Sequence, residues 1–334
     1  MTAAQGAIGK AQARPLDVLM GIIRRNTWTV ALIGLLIGFL VLTKLIQPNY
    51  GAPGIQGLAI SMLPIAFATV AQAIVVIAGG IDLSVGSIMA LTSVSAAVLM
   101  QGQGDAFAVA VVIAILVMGI LLGTINGALI VATRVPDIVV TLAMSFVWAG
   151  FALLILHTPG GGAAPWLMEL IRGPLGSEWL PRAVIVLIVV VGVIWIPIRR
   201  STVGLSLYAI GSNQLAAFRS GVPVGRTKIL SYALVGLFSA LGGLTLTAST
   251  GIGSPVPGSY TLESVAAIVL GGVSLAGGRG GVVGPIIAVV VLALIRTDLT
   301  FLGVNPNFST VVQGAVLIGV VMFGSFLAMR KVRA

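Results

Sequence analysis

Polar residues interrupt an apolar stretch of the chain between Gly79 and Ser87. This segment contains three glycines, two serines and Asp82, the only acidic residue that we place near the interior of a membrane span. An isolated charge at the centre of a bilayer costs about 2.5–3.5 kcal/mol even on the milder scales. Three roles for Asp82 are open. It caps the next helix by accepting a hydrogen bond from the amide of Ser84 or Val85, it hydrogen-bonds a polar solute in a hydrated pathway, or it exchanges protons. Capping is favoured, because we find no basic partner at the same depth.

Two further polar side chains lie within predicted spans. Asn126, in the sequence Gly-Thr-Ile-Asn-Gly, needs hydrogen-bond partners when it is buried. It either bridges helices, which we favour, or faces a solute, and the same alternatives hold for Thr141. With the polar break, these residues define a candidate translocation pathway or its immediate surroundings: Gly79, Gly80, Asp82, Ser84, Gly86, Asn126 and Thr141.

The composition requires these residues to be positioned within a membrane. Of the 334 residues, 58% are hydrophobic and only 8% are charged, and the mean hydropathy is +1.16. Soluble domains contain about 25% charged residues, so a water-soluble protein is excluded. The continuous apolar runs favour helices over the alternating strands of a barrel. Because the chain lacks cysteine and has only His157, disulfides, thiolate metal sites and multi-histidine clusters are also excluded.

No pattern in the sequence is typical of an enzyme. There is no nucleophile–base pair, no carboxylate pair arranged for catalysis, and no G-x-x-x-x-G-K-[ST] phosphate-binding loop. The glycine-rich run 277–281 lacks the required lysine, and we interpret it as a flexible turn. We therefore expect neither enzymatic activity nor a cofactor or metal in this chain. Energy for any transport must come from another chain or from an ion gradient.

The hydrophobic pattern predicts an all-α, polytopic membrane bundle of about ten helices, some short or broken, with both termini in the cytoplasm. The transmembrane domain covers 27–329 and includes a periplasmic loop at 157–182 and a cytoplasmic segment at 205–225. Cytoplasmic tails are expected at 1–26 and 330–334. The predicted spans are 28–47, 55–78, 84–101, 107–133, 138–156, 183–198, 227–249, 261–276, 282–297 and 308–328.

The distribution of basic residues predicts this orientation, because cytoplasmic loops are enriched in Lys and Arg. The net charge of +10 is thus explained by topology, and we expect no nucleic-acid partner. Only four basic residues fall outside or at the outer edge: Lys44, Arg172, Arg182 and Arg296. The inside contains Lys10, Arg14, Arg24, Arg25, Arg134, Arg199, Arg200, Arg219, Arg226, Lys228, Arg279, Arg330, Lys331 and Arg333.

The cytoplasmic stretch 207–221 suits a short amphipathic helix. Ser212 or Asn213 is placed to cap its start, and Gly221 is placed to end it. The small residues Ala216 and Ala217, with Leu215 and Phe218 nearby, would fit a groove on a partner. The alternative is a helix that lies along the inner leaflet.

One short sequence pattern occurs twice in the chain. Residues 79–86 and 271–278 both follow the pattern G-G-x-x-L-x-x-G, and each comes after an apolar run of Ala, Ile and Val. Transporters are often built from repeats whose broken helices meet at the pathway. Chance matching in a glycine-rich membrane sequence is the competing explanation.

Taken together, these motifs resemble the permease subunits of bacterial ABC importers of the ribose/xylose/galactoside type. The resemblance covers most of the chain and is most specific at 79–87. It implies a bacterial inner-membrane protein that moves a pentose or hexose. Open alternatives are a permease for branched-chain amino acids, nucleosides or autoinducer-type sugar derivatives, and an ion-driven secondary transporter. Supporting motifs are 123–127, 136 with 141–142, 200–204, 209–213, 216–217 with 221, and 270–278.

The resemblance also implies the partners of the chain. These are a second permease copy or paralogue, a cytoplasmic ATPase pair that binds ATP and Mg²⁺, a periplasmic or lipid-anchored solute-binding protein, and the lipid bilayer. Leu215 stands where the wider family has Glu, which leaves a salt bridge to the ATPase in doubt. The implied coupling helix contains Gly211, Ser212, Asn213, Leu215, Ala216, Ala217, Phe218 and Gly221.

Overall fold

The structure, a computed structural model, describes residues 27–256 and 258–305 and scattered positions from 308 to 322. The predicted tails at 1–26 and 330–334, and most of the last predicted span at 308–328, lie outside these residues. The elements of the described chain are α1 (Thr27–Ile46), α2 (Ala52–Ile77), α3 (Val85–Met100), α4 (Asp105–Thr133), α5 (Asp137–Ile155), α6 (Pro165–Ile171), β1 (Pro174–Leu175), β2 (Ser177–Pro181), α7 (Arg182–Arg200), α8 (Thr202–Ser212), α9 (Gln214–Arg219), α10 (Val224–Thr250), α11 (Tyr260–Leu270) and α12 (Val283–Phe301).

Seven of the described helices are long and apolar enough to cross a membrane: α1, α2, α4, α5, α7, α10 and α12. The prediction of a multi-pass helical membrane protein is therefore confirmed. The number of ten spans and the cytoplasmic position of the termini stay predictions. The span predicted over 261–276 is too long, because α11 ends at Leu270 and glycines form the turn that follows.

The helix α2 lies at the centre of the bundle. Nearly every residue from Leu58 to Ile77 is buried, and α7, α10, α11 and α12 all pack against it. Its sequence is apolar on every face, as expected for a helix that is surrounded by other helices. The short helix α3 has 16 residues, of which all but two are buried, so protein rather than lipid covers most of it.

Small residues allow α4 and α10 to approach closely. A Cβ atom added to Gly123 would collide with the carbonyl oxygen of Tyr232, and one added to Gly236 would collide with that of Gly119. Glycine and alanine at such positions bring helix backbones into contact in membranes. The small residues of α10 therefore form a surface for contact with α4.

The segment predicted as a periplasmic loop, 157–182, is folded. It contains α6 and an antiparallel hairpin of β1 and β2. The Arg182 guanidinium joins these two elements, because it donates to the carbonyl oxygens of Glu169 at 3.0 Å and Pro174 at 3.1 Å. Trp179 is largely exposed. The segment therefore forms an ordered cap on one end of the bundle, and its side of the membrane stays a prediction.

Candidate functional site

The polar break begins where α2 ends in a glycine turn. The amide of Gly79 donates to Val76 O at 2.9 Å, and that of Gly80 donates to Val75 O at 2.9 Å. This pair of bonds is the Schellman cap, which needs a left-handed residue, and Gly79 has φ +83°. The chain can therefore turn sharply inside the bundle with its last helical carbonyls satisfied.

Asp82 is fully buried and bonded to the start of α3. Its Oδ1 accepts from the amide of Ser84 at 2.7 Å and from the Ser84 hydroxyl at 2.6 Å. The expected acceptance from the Ser84 amide is thus present, although Ser84 itself occupies the cap position of α3. Asp82 Oδ2 has no hydrogen-bond partner among the described residues. Gly86, one turn further, donates its amide to Thr261 Oγ1 at 2.9 Å and thereby connects α3 to α11.

A chain of polar side chains continues from Asp82 into two other helices. The Asn126 amide nitrogen on α4 donates to Ser84 Oγ at 2.8 Å, and the Trp148 indole on α5 donates to Asn126 Oδ1 at 3.2 Å. On α5, Thr141 Oγ1 accepts from the amide of Leu83 at 3.1 Å. Asn126 therefore bridges helices in this structure, as favoured from the sequence. Contact of these residues with a solute stays a prediction.

An ion pair that was not predicted lies against the break. Lys228 Nζ on α10 is 3.2 Å from Asp137 Oδ1 on α5, and the Tyr232 hydroxyl donates to Asp137 Oδ2 at 3.0 Å. A Cβ atom on Gly80 would lie 2.7 Å from Asp137 Oδ2, so the carboxylate packs on the glycine backbone. The sequence contains no local signal for this pair, because its members are 91 positions apart. A proline directly before Asp137 marks only the helix start.

The glycine turn also contacts the segment implied to couple to an ATPase. A Cβ atom on Gly211, near the end of α8, would collide with the carbonyl oxygen of Ile77. A Cβ atom on Gly277 would lie 3.0 Å from the Cα of Gly79. The amide of Gly278 donates to Ile77 O at 2.9 Å. We call the contact of Gly79, Gly211, Gly277 and Gly278 the glycine junction. It joins the end of α2, the end of α8 and the loop after α11 through backbone atoms.

The two copies of the G-G-x-x-L-x-x-G pattern end their helices in the same way. In the second copy, the amide of Gly272 donates to Val269 O at 3.0 Å and that of Val273 donates to Ile268 O at 2.9 Å. Gly272 has φ +82°, so it is the structural equivalent of Gly79. The alignment of the two patterns by sequence, which pairs Gly79 with Gly271, is therefore wrong by one residue. Gly271, the first glycine of the second copy, instead occupies the C-cap position directly after Leu270.

The coupling segment forms two helices rather than one. The break between α8 and α9 falls at Asn213, whose side chain caps α9 by accepting from the amide of Ala216 at 2.9 Å. This confirms Asn213 as the cap and excludes Ser212, which is exposed and lies beside Gly278 of the glycine junction. Gly221, with φ +83°, ends the segment as predicted.

The predicted docking face of this segment needs a correction. Leu215 and Phe218 are 59% and 66% exposed, whereas Ala217 is only 6% exposed. Residues three apart share one side of a helix, so Leu215 and Phe218 project together and Ala217 points back into the protein. The outward surface therefore comprises Leu215, Ala216, Phe218 and Arg219, without Ala217.

The chain matches one family model over residues 54–321, which includes the polar break, the glycine junction and the coupling segment. That family is described as "Branched-chain amino acid transport system / permease component". The chain belongs to this permease family. The resemblance found in the sequence is thereby confirmed at the level of the family, and the chain is a multi-pass membrane permease.

Curated relatives specify the family branch. The chain is similar to the ribose import permease protein RbsC of Bacillus subtilis, with 35% identity over 73% of this chain and 76% of the relative. Its identity to the Escherichia coli K12 protein of the same name is 32%, over 76% and 79%. The autoinducer 2 import system permease protein LsrD of Photorhabdus laumondii matches at 30% over 90% and 91%. No solved structure matches the chain.

Proposed function

We propose that this chain is the permease subunit of an ABC importer that moves a small sugar across the inner membrane. The family match, with relatives named for ribose and autoinducer 2 import, supports this function most directly. The buried polar break within an apolar bundle is consistent with it, because such backbone is tolerated at membrane depth only where protein covers it or a wet cavity borders it.

The exposed surface of α9 is where the ATPase pair binds. Leu215 and Phe218 present apolar side chains to solvent on a short, capped helix, and large exposed apolar groups mark interaction sites. ATP and Mg²⁺ are bound by that partner and not by this chain. A periplasmic or lipid-anchored binding protein delivers the sugar, and a second permease copy or a paralogue completes the passage.

Movement reaches the break through the glycine junction. When the ATPases close, α9 moves with them, and α8 transmits this motion to the end of α2 because Gly211 contacts Ile77 and Gly278 without intervening side chains. Backbone contacts of this kind transmit a displacement from one segment to the next, because packed protein interiors deform little. The turn at Gly79 then shifts relative to the bundle, and access to the passage alternates.

The pathway candidates hold this turn in place beside the passage. Asp82, Ser84, Asn126 and Thr141 are all buried within the subunit, and they hydrogen-bond to one another, to the Trp148 indole or to neighbouring backbone. Gly79 and Gly80 supply close approaches on which this packing depends, and the Gly86 amide donates to Thr261 Oγ1. We therefore assign these residues to the wall behind the passage rather than to direct contact with the sugar in this conformation.

Reconstitution tests the function. The permease is purified with its ATPase, placed in proteoliposomes with the binding protein, and screened for sugars that stimulate ATP hydrolysis and are taken up. We expect uptake that requires ATP and is unaffected by a protonophore. Uptake by the permease alone that a protonophore abolishes would instead establish an ion-driven transporter. Stimulation by a branched-chain amino acid but by no sugar would favour the activity named in the family description.

A further inference from the structure

A cavity of about 580 Å³ opens beside the coupling segment. The end of α4 and the starts of α5 and α10 form its apolar walls, and Gln214 of α9 forms part of its lining. Its polar lining is completed by Arg134, Asp137 and Lys228. In the orientation predicted from the basic residues, this cavity faces the cytoplasm directly next to exposed Leu215 and Phe218.

The cavity has an excess of positive charge. Lys228 is paired with Asp137, so these two charges offset one another. No carboxylate of the described residues lies within salt-bridge distance of the exposed Arg134 guanidinium. Arg219 and Arg226 are exposed on the elements that flank the cavity. The group that complements this site is therefore an anion.

The backbone at Arg134 adopts a conformation that favours glycine. Arg134 follows the last turn of α4 with φ 59° and ψ 17°, and among the described residues it is the only non-glycine with positive φ. Glycine is the usual residue at this position, and a branched or long side chain there costs about 1 kcal/mol. The enrichment of basic residues in cytoplasmic loops accounts for a charge in this loop, but not for arginine at its one left-handed position.

We propose that this cavity receives an acidic side chain of the ATPase and that Arg134 binds its carboxylate. The inference rests on the proposed function and identifies a second contact of the same interface. The cavity continues the exposed surface of α9 through Gln214, so one partner can cover both. A guanidinium binds a carboxylate through two parallel hydrogen bonds, and a partner that covers the cavity shields them from water.

The test measures ATPase affinity for Arg134→Gly in nanodiscs of phosphatidylcholine. The ATPase subunit is the one that co-purifies with the wild-type permease, identified by its phosphate-binding motif and then purified separately. Arg226→Gln is the matched control, because it removes the same charge from the same face without lining the cavity. Glycine adopts the Arg134 backbone without strain, so the variant is expected to fold with an unchanged or higher unfolding temperature.

We expect Arg134→Gly to raise the Kd for the ATPase by about tenfold or more, and to reduce its dependence on salt between 50 and 300 mM NaCl by roughly half. Arg226→Gln should change the Kd by less than about threefold, as for an exposed charge. Arg134→Lys, which retains the charge but not the two-point geometry, should give an intermediate Kd.

Three results would overturn the inference. Equal weakening by Arg134→Gly and Arg226→Gln would indicate general surface charge and not the cavity. Wild-type affinity in Arg134→Gly, together with lost stabilisation by phosphatidylglycerol, would assign the cavity to a lipid headgroup. If the wild-type permease binds no ATPase at all, the proposed function fails as well, whereas normal binding by Arg134→Gly refutes only the inference.

Discussion

Replacing Gly211 with alanine tests whether the glycine junction transmits motion. The added Cβ atom would collide with the carbonyl oxygen of Ile77 and would lie 2.7 Å from the amide nitrogen of Gly278. Real Cβ atoms essentially never approach so closely, and both obstacles are backbone atoms that cannot rotate away. The end of α8 must therefore separate from the end of α2.

The expected loss of stability follows from this separation. Overpacking of a tight interior costs about 1–3 kcal/mol. If the hydrogen bond between Gly278 N and Ile77 O also breaks, it removes about 0.5–1.5 kcal/mol more. We expect the variant to insert and bind the ATPase, because the exposed surface of α9 is unaltered. The α9 movement should no longer reach the break, so more ATP is hydrolysed for each sugar transported.

The assay compares the unfolding temperature and the ratio of ATP hydrolysed to sugar transported in the same proteoliposomes. Gly192→Ala is the matched control, since its Cβ atom would meet only the tip of Ile196 at an ordinary 3.9 Å. It should leave the ratio unchanged and should not lower the unfolding temperature, because alanine suits a helix interior better than glycine. A Gly211→Ala protein with wild-type stability and a wild-type ratio would refute the role of the junction. Lost stability with a normal ratio would show that the junction is structural only.

Three further experiments test other parts of the site. Ala216→Arg should abolish ATPase binding while membrane insertion remains normal, whereas Ala217→Arg should lower the amount of folded permease, because Ala217 is buried. Size-exclusion chromatography measures the folded permease, and a pull-down measures ATPase binding. Lys228→Met should lower the unfolding temperature by an amount equivalent to about 1–3 kcal/mol, because Asp137 loses its cation. Adding Asp137→Asn should restore part of this loss, and a double-mutant cycle with no coupling would contradict the role of the ion pair. Asn126→Leu should cost about 1–3 kcal/mol, because the buried Trp148 indole loses its acceptor and Ser84 Oγ loses a donor. An unfolding temperature equal to that of the wild type would contradict this expectation.

Local features of the fold could be predicted from the sequence because their causes are local. The cap of α9 by Asn213 spans three residues, and the turns at Gly79 and Gly221 depend on the conformational freedom of one glycine each. The apolar runs likewise predicted the membrane helices, since a bilayer demands about 20 apolar residues for a span. The sequence does not predict the end of α11 at Leu270, because Gly271 and Gly272 also fit the interior of an apolar span.

Contacts between distant segments could not be predicted in this way. Asp137 and Lys228 meet only because α5 and α10 pack at the same depth, and neither residue lies in a motif that would pair them. The burial of Ala217 depends on how α9 packs on the bundle, which its own sequence does not specify. The bridging contacts of Asn126 with Ser84 and Trp148 also required three helices to be placed.

The sequence by itself thus determined that this protein is a membrane permease, where its helix is broken, and which glycines are placed to turn the chain. Only the tertiary structure decided what those glycines contact. Hydrophobic periodicity and the turn preferences of single residues act over a few positions, so they can be recognised in the linear sequence. The glycine junction brings Gly79, Gly211 and Gly277 together from three separate segments, and such proximity exists only after the helices have packed.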